Sequence, residues 1–312
     1  MSKNKQVSKA SKFRFKFWWV KRPAQVAAFI LFFGGLWHLG PWPLVVPALN
    51  CLGVEEKTFG CAFGVLQDLL YRTVMLWMVP AVFLVGGVIL GRTFCGWFCP
   101  FGFVMDLLSF IKRKRTEFSL RTHNLLKDVK YGVLFSILLV SGALATSLIL
   151  DPVAGEEYKM ALGVFGEAPF CVLCPAGTLF AVIPTFVVKT LPTLPPVSMM
   201  SWELLTTIAT PLLVTRIVLL AIFLLAGYYV TRFWCRYFCP VGALMALISR
   251  VSYLGLGRNL TKCTKCRLCV EKCPMAVRIL DLPWEKFTDP ECTLCMECYD
   301  VCPEDALSLQ AP

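Results

Sequence analysis

Histidine is almost absent from this sequence of 312 residues, which contains only His38 and His123. Two histidines cannot supply paired ligands to several haem groups, so a multihaem protein is excluded. Charged residues are also scarce, at 16% of the chain, whereas 57% of the residues are hydrophobic and the mean hydropathy is +0.67. A soluble domain of this size needs a more polar composition. The sequence therefore predicts an α-helical integral membrane protein.

Acidic residues are outnumbered, with 20 of them against 31 lysines and arginines, and the net charge is +11. Such a balance can indicate nucleic-acid binding, but the positions of the basic residues explain it better. They are concentrated in 1–23, 92–130 and 231–312, and they are rare in 41–73 and 151–210. Because cytoplasmic loops of membrane proteins are enriched in lysine and arginine, we predict that both termini and 92–130 face the cytoplasm. No nucleic-acid partner is expected.

Four apolar segments have the length that a helix needs to cross a bilayer, which is about 17–25 residues. A fifth apolar segment, 176–188, is too short to cross and contains a proline, so we predict a re-entrant or interfacial segment there. The four predicted spans are 24–40, 74–90, 131–150 and 211–230.

The spans divide the chain into three predicted parts. These are a basic cytoplasmic N-terminus (1–23), a four-helix transmembrane domain (24–250) and a cytoplasmic C-terminal domain (251–312). The basic start and the first span resemble a secretory signal, but no clear small-x-small cleavage site follows, which favours an uncleaved anchor. We predict a multi-pass protein of the cytoplasmic (inner) membrane.

Eight of the sixteen cysteines lie in two similar runs near the C-terminus, CTKCRLCVEKCP and CTLCMECYDVCP. Both have the spacing C-x2-C-x2-C-x3-C-P of bacterial two-cluster ferredoxins, in which the fourth cysteine of each run binds the other cluster. Two complete runs, each followed by proline, disfavour zinc as the alternative. We predict a ferredoxin-like α+β domain with two [4Fe–4S] clusters. The first would be held by Cys263, Cys266, Cys269 and Cys302, and the second by Cys292, Cys295, Cys298 and Cys273.

Two further cysteine pairs lie in similar motifs, RTFCGWFCPFG and TRFWCRYFCPVGAL, each at the cytoplasmic end of a predicted span. Cysteines four apart share one face of a helix, and the proline after them suits the first turn of a new helix. The repetition predicts two pseudo-symmetric parallel repeats related by an axis along the membrane normal. This axis would bring four thiols together at the inner surface. They are Cys95, Cys99, Cys235 and Cys239.

The predicted outer loops carry four more cysteines, which the same symmetry would gather at the outer surface. They are Cys51, Cys61, Cys171 and Cys174. Three interpretations stay open for the membrane cysteines. Four thiolates are sufficient for an iron or iron–sulfur centre. The outer four could instead form disulfides, with the C-x2-C pair redox-active. The third interpretation is that they are small packing residues.

The motifs resemble those of the NapH-type membrane iron–sulfur proteins, grouped with MauN and with the C-terminal half of NosR. The resemblance covers residues 24–312. It implies a quinol dehydrogenase that passes electrons from membrane quinol to partner redox proteins within a larger complex. The four outer cysteines are not a standard part of the NapH type. They support a second hypothesis, a transmembrane reductase of extracytoplasmic metal ions or disulfides.

A quinone site needs apolar walls and a few polar groups, and no such group has a diagnostic spacing here. His38, near the outer end of the first span, is the strongest candidate. The alternative is that it is an interfacial histidine in an aromatic belt with Trp37 and Trp42. The weaker candidates are Asp68, Asp106 and Asp151.

Overall fold

The computed structural model describes residues 17–33, 78–111, 120–150, 170, 173–183 and 211–311. The described part of the chain is mostly helical, as predicted. Several sequence-predicted site residues lie outside it, so the quinone, outer-metal and disulfide predictions that involve them stay predictions. These residues are His38, Cys51, Cys61, Asp68, Asp151 and Cys171.

Long helices alternate with short ones, and a small sheet lies near the C-terminus. The helices are α1 (Trp18–Phe33), α2 (Met78–Leu90), α3 (Thr93–Trp97), α4 (Pro100–Ile111), α5 (Leu120–Leu150), α6 (Pro175–Gly177), α7 (Pro211–Tyr229), α8 (Phe233–Tyr237), α9 (Pro240–Ile248), α10 (Leu268–Lys272) and α11 (Glu297–Val301). A π-helical turn (Thr178–Val182) continues α6, and a 3-10 turn (Ser249–Val251) follows α9. The strands are β1 (Gly255–Arg258) and β2 (Leu307–Gln310).

The four longest helices, α1, α2, α5 and α7, overlap the four segments that the sequence predicts as membrane spans. Within the described residues, no helix combines the length and the apolar character that crossing a membrane requires.

The order long helix, one-turn helix, proline-initiated helix occurs twice, as α2–α3–α4 and as α7–α8–α9. Left-handed backbone separates the long helix from the short one in both, at Gly91 (φ +58°) and at Arg232 (φ +53°). The packing is reciprocal: α4 contacts α1 and α7, whereas α9 contacts α5 and α2. The last helix of each repeat therefore packs against the long helix of the other repeat.

The predicted re-entrant segment is helical over its described residues and enters the core. The Phe180 ring lies 6.0 Å from that of Phe29 and 6.4 Å from that of Phe101. Phe170 stacks on Trp234 with ring centroids 6.3 Å apart. Cys174 is buried in the same core cluster as three of the inner cysteines. This differs from the predicted outer-surface position of Cys174, because the two phenylalanines anchor its segment among the core aromatics.

The C-terminal part has a small core of its own beneath an antiparallel sheet. Strands β1 and β2 pair Leu256 with Leu309 and Arg258 with Leu307, and Leu256 also bridges to Phe287. Helices α10 and α11, which belong to the two cysteine runs, pack against each other. The sheet and these two one-turn helices form the predicted α+β tail.

Candidate metal centres

The eight tail cysteines surround two cavities, which we name cavity I and cavity II. Cavity I is lined by Cys263, Cys266, Cys269 and Cys302. Cavity II is lined by Cys273, Cys292, Cys295 and Cys298. Each cavity thus receives three cysteines from one run and one from the other, in the grouping that the spacing predicts. Four thiols around each cavity fit the donor set of a [4Fe–4S] cluster.

Left-handed backbone curls each cysteine run around its cavity. The residues on both sides of the second cysteine have positive φ in the first run, at Lys265 and Arg267, and in the second run, at Leu294 and Met296. None of them is a glycine, and this conformation costs roughly 1–2 kcal/mol per residue. Such strain concentrates at functional sites, where surrounding interactions maintain it.

Backbone N–H groups point at the cysteines that precede prolines. The Val277 N–H donates to the Cys273 Sγ at 3.3 Å, and the Ala306 N–H donates to the Cys302 Sγ at 3.4 Å. Such bonds favour a thiolate over a thiol.

The inner motifs contain the same kind of hydrogen bond, with the donor three residues after the cysteine and not four. Gly102 N–H donates to the Cys99 Sγ at 3.4 Å, and Gly242 N–H donates to the Cys239 Sγ at 3.3 Å. A Cβ on Gly102 would lie 3.0 Å from the Cys95 carbonyl oxygen, so the close backbone approach favours glycine. The sequence C-P-x-G is therefore a helix N-terminus with cysteine sulfur as its cap.

The four inner cysteines are near enough to one another for their charges to interact. Cys99, Cys235 and Cys239 are buried in one core cluster. Burial, with the charges of Cys99 and Cys95 nearby, raises the pKa of Cys235 to about 12. Burial and the charges of Cys235 and Cys95 raise the pKa of Cys239 well above its usual value. Thiols this hard to ionise become stable thiolates when a cation binds them.

No three histidine, cysteine, aspartate or glutamate side chains within the described ranges stand close enough to hold one metal ion.

The inner motifs press against the loops of cavity II. A Cβ on Gly96 would lie 2.6 Å from the Thr293 carbonyl oxygen, so only glycine permits this approach. The Trp97 indole N–H donates to the Leu294 carbonyl at 3.0 Å. Arg236, in the second motif, donates to the Pro274 carbonyl through Nε at 2.9 Å and Nη2 at 2.7 Å. Both repeats therefore contact cavity II, one on each of its two cysteine runs.

Buried charges surround this contact. Arg232 donates to both Asp106 oxygens, at 2.6 and 2.7 Å, and Gln25 donates to one of them at 3.1 Å. Burial opposes ionisation of Asp106, but Arg232 and Lys21 outweigh it and lower the pKa of Asp106 well below its usual range. Asp106 is therefore committed to a buried ion pair, which argues against its weak candidacy as a quinone ligand.

A second buried ion group ties the tail to the helices. Arg92 donates to the Pro290 carbonyl at 2.7 Å and to the Glu291 carboxylate at 3.1 Å. Lys130 also donates to the Glu291 carboxylate. Neither Arg92 nor Arg232 is among the sequence-predicted site residues. The available signal was an arginine three residues before the first cysteine of both motifs, as R-T-F-C and R-F-W-C.

Comparison with known proteins connects these sites to a family. The 4Fe-4S dicluster domain matches residues 262–307, and a 4Fe-4S binding domain matches 71–116 and 211–260, the ranges that contain the inner motifs. The uncharacterised protein MJ0750 of Methanocaldococcus jannaschii is 30% identical over 256 residues, which are 80% of this chain and 85% of the relative. The chain belongs to a family of ferredoxin-type proteins with these two 4Fe-4S domains.

NapH-type proteins are further relatives of this ferredoxin-type chain, which confirms the resemblance seen in the motifs. The ferredoxin-type protein NapH of Haemophilus influenzae is 25% identical, over 93% of this chain and 88% of its own length. The putative electron transport protein YccM of Escherichia coli is 26% identical, over 85% of this chain and 63% of its own length. No solved structure matches the chain significantly. The protein is a ferredoxin-type iron–sulfur electron-transfer protein that binds [4Fe–4S] clusters.

Proposed function

We propose that this protein carries electrons between membrane quinol and a partner redox protein. The observation that carries the proposal is the contact of both inner motifs with the loops of cavity II. A [4Fe–4S] cluster, when bound, accepts or donates one electron at a time. The chain's residues have to hold such groups close together and shield them from water, which is what these contacts achieve.

The eight tail cysteines are the proposed ligands of two clusters, in the grouping of cavities I and II. The inner cysteines, Cys95, Cys99, Cys235 and Cys239, are the proposed ligands of a third iron–sulfur centre. Their match to a 4Fe-4S binding domain supports this assignment. The Gly102 and Gly242 N–H groups each supply a hydrogen bond that stabilises the thiolate form.

The positions of the two cavities indicate the order in which electrons would pass through the protein. Cavity II lies against the inner motifs, whereas Cys266 in cavity I is exposed to solvent. Lys265 and Arg267 are exposed beside it and line cavity I. We place the partner redox protein at cavity I and the quinol side at the inner motifs.

The membrane location rests on the sequence and on the exposed apolar side chains. Large apolar side chains are exposed on helices that overlap or adjoin the predicted spans. They include Trp19 (69% exposed), Ile111 (69%) and Leu225 (60%). Exposed apolar surface of this extent marks a lipid or protein contact. We propose four spans in two parallel repeats, both termini in the cytoplasm, and assembly into a larger redox complex.

The first test is the iron and acid-labile sulfide content of the full chain purified without oxygen. We expect clearly more than eight irons, because two [4Fe–4S] clusters account for about eight. The variant Cys235→Ala should lower the content to about eight. A content of eight in both proteins would contradict the third centre and leave the tail clusters intact.

The second test is reduction by quinol in liposomes. Adding menadiol to the wild-type protein is expected to bleach the cluster absorbance, and Cys235→Ala should slow this by at least tenfold. Cys174→Ala is the matched control, because Cys174 is an equally buried core cysteine outside the inner motifs. If Cys174→Ala abolishes reductase activity towards outer metal ions or disulfides while menadiol has no effect, the second hypothesis replaces the first.

A further inference from the structure

Arg92 and Arg232 occupy equivalent positions in the two repeats, and their side chains are almost fully buried, with relative exposures of 1% and 0%. Each side chain reaches into the other repeat. Arg232 binds Asp106 on α4 and donates to the Cys95 carbonyl at 3.4 Å. A Cβ on Gly242 would lie 3.1 Å from Arg92 Nη2, so Arg92 reaches the second C-P-x-G motif. The two arginines are therefore crossed between the repeats.

The Arg92 guanidinium joins the second inner motif to a loop of cavity II, and the Arg232 guanidinium contacts the first inner motif. Cys95 and Cys239 are near enough for their charge to act on Arg92, which also binds the loop that precedes Cys292. Cys235 and Cys295 are near enough to act on Arg232. Neither arginine is in the direct lining of cavity I or cavity II.

The two arginines differ in how far their charge is neutralised. Arg232 forms a bidentate pair with Asp106. Lys21 lies 3.7 Å from the same carboxylate and pairs with Glu297 at 2.8 Å, so these four charges sum to zero. Arg92 shares the single carboxylate of Glu291 with Lys130, which leaves one positive charge in excess. Asp106 therefore determines how much of the Arg232 charge reaches the neighbouring thiolates.

We propose that Arg92 and Arg232 set the reduction potentials of the inner centre and of the centre in cavity II. The inference rests on the proposed function and deepens it. Adding one electron makes a thiolate-bound centre more negative without breaking a bond. A fixed positive charge in a poorly polarisable interior favours that reduced form. Because each arginine reaches from its own repeat into the other, the electrostatic environment of the inner site depends on both repeats.

The test is potentiometric titration of the full chain, followed by electron paramagnetic resonance. Arg232→Gln leaves Asp106 unneutralised and should lower both potentials. Asp106→Asn releases the arginine charge and should raise them. The double variant should return towards wild type. We expect about a tenfold change in the reduction equilibrium for each single variant, which is about 59 mV for one electron. The centre in cavity I should keep its potential and serves as an internal reference.

Arg278→Gln is the matched control, because Arg278 is exposed and paired only at the surface with Asp281. Iron content shows whether each variant has folded. If Arg232→Gln does not fold, Asp106→Asn and Arg232→Lys carry the test, with a rise expected for the first and near-unchanged potentials for the second.

Opposite signs for Arg232→Gln and Asp106→Asn support the proposal, since loss of packing would not reverse sign. Unchanged potentials, shifts of one sign, or equal shifts in cavity I overturn it. Failure of this inference and failure of the proposed function give different results. Absence of a third signal in wild type contradicts the inner centre, while a shift confined to cavity II still supports the role of the arginines.

Discussion

Replacing Cys263 and Cys302 together by alanine is expected to remove about four irons per chain, the content of one [4Fe–4S] cluster, and no more than either replacement alone. Both cysteines line cavity I although they belong to different runs. Once one ligand of a cluster is lost, losing a second costs no further iron. The measurement is iron and acid-labile sulfide on protein purified without oxygen.

The companion pair, Cys263→Ala with Cys298→Ala, takes one ligand from each cavity and should remove about eight irons. Ser308→Ala, on an exposed position of β2, is the control and should keep the full content. If the first pair instead removes twice the iron of either single variant, each run holds its own cluster. The grouping proposed from the two cavities would then be wrong.

Replacing Gly96 by valine is expected to separate the tail from the inner motifs. Even the Cβ would lie 2.6 Å from the Thr293 carbonyl oxygen, and this is backbone that cannot rotate away. We expect a loss of about 1–3 kcal/mol from overpacking. Electrons from the quinol side should then reach the tail clusters at least tenfold more slowly. Stopped-flow absorbance after menadiol addition measures this rate.

Gly132→Ala is the matched control, because a Cβ at Gly132 on α5 meets nothing within 4 Å. Alanine in a helix interior is favoured over glycine by about 1 kcal/mol, so this variant should be as stable as wild type or more so. Transfer at the wild-type rate in Gly96→Val, with the tail clusters intact, would show that the contact at Gly96 does not carry electrons.

The tail could be predicted closely from the sequence, and the inner motifs in part. The spacing of Cys263, Cys266 and Cys269 is local, so it predicts a loop around a cluster before any fold is known. The C-P-x-G repeat likewise predicted a proline-initiated helix after each cysteine pair, and the structure has one at Pro100 and one at Pro240.

Contacts between distant residues could not be predicted in this way. Asp106 and Arg232 are 126 positions apart, and nothing in either neighbourhood indicates their pairing. From composition alone, Asp106 was one of several polar groups that a quinone site could use. Cys174 was assigned to the outer surface from topology, whereas Phe170 and Phe180 anchor its segment in the core.

The sequence by itself predicted the ligand sets of the tail, because cysteine spacing, proline and glycine act over a few covalently linked residues. It also determined the duplication, since the motif is written twice. Only the tertiary structure decided which cavity faces the inner cysteines and how Arg92 and Arg232 cross between the repeats. It also decided that position 96 requires glycine, because a Cβ there would clash with the Thr293 carbonyl oxygen. Those features depend on close packing of buried surfaces that lie far apart along the chain, and packing is a property of shape and not of sequence pattern.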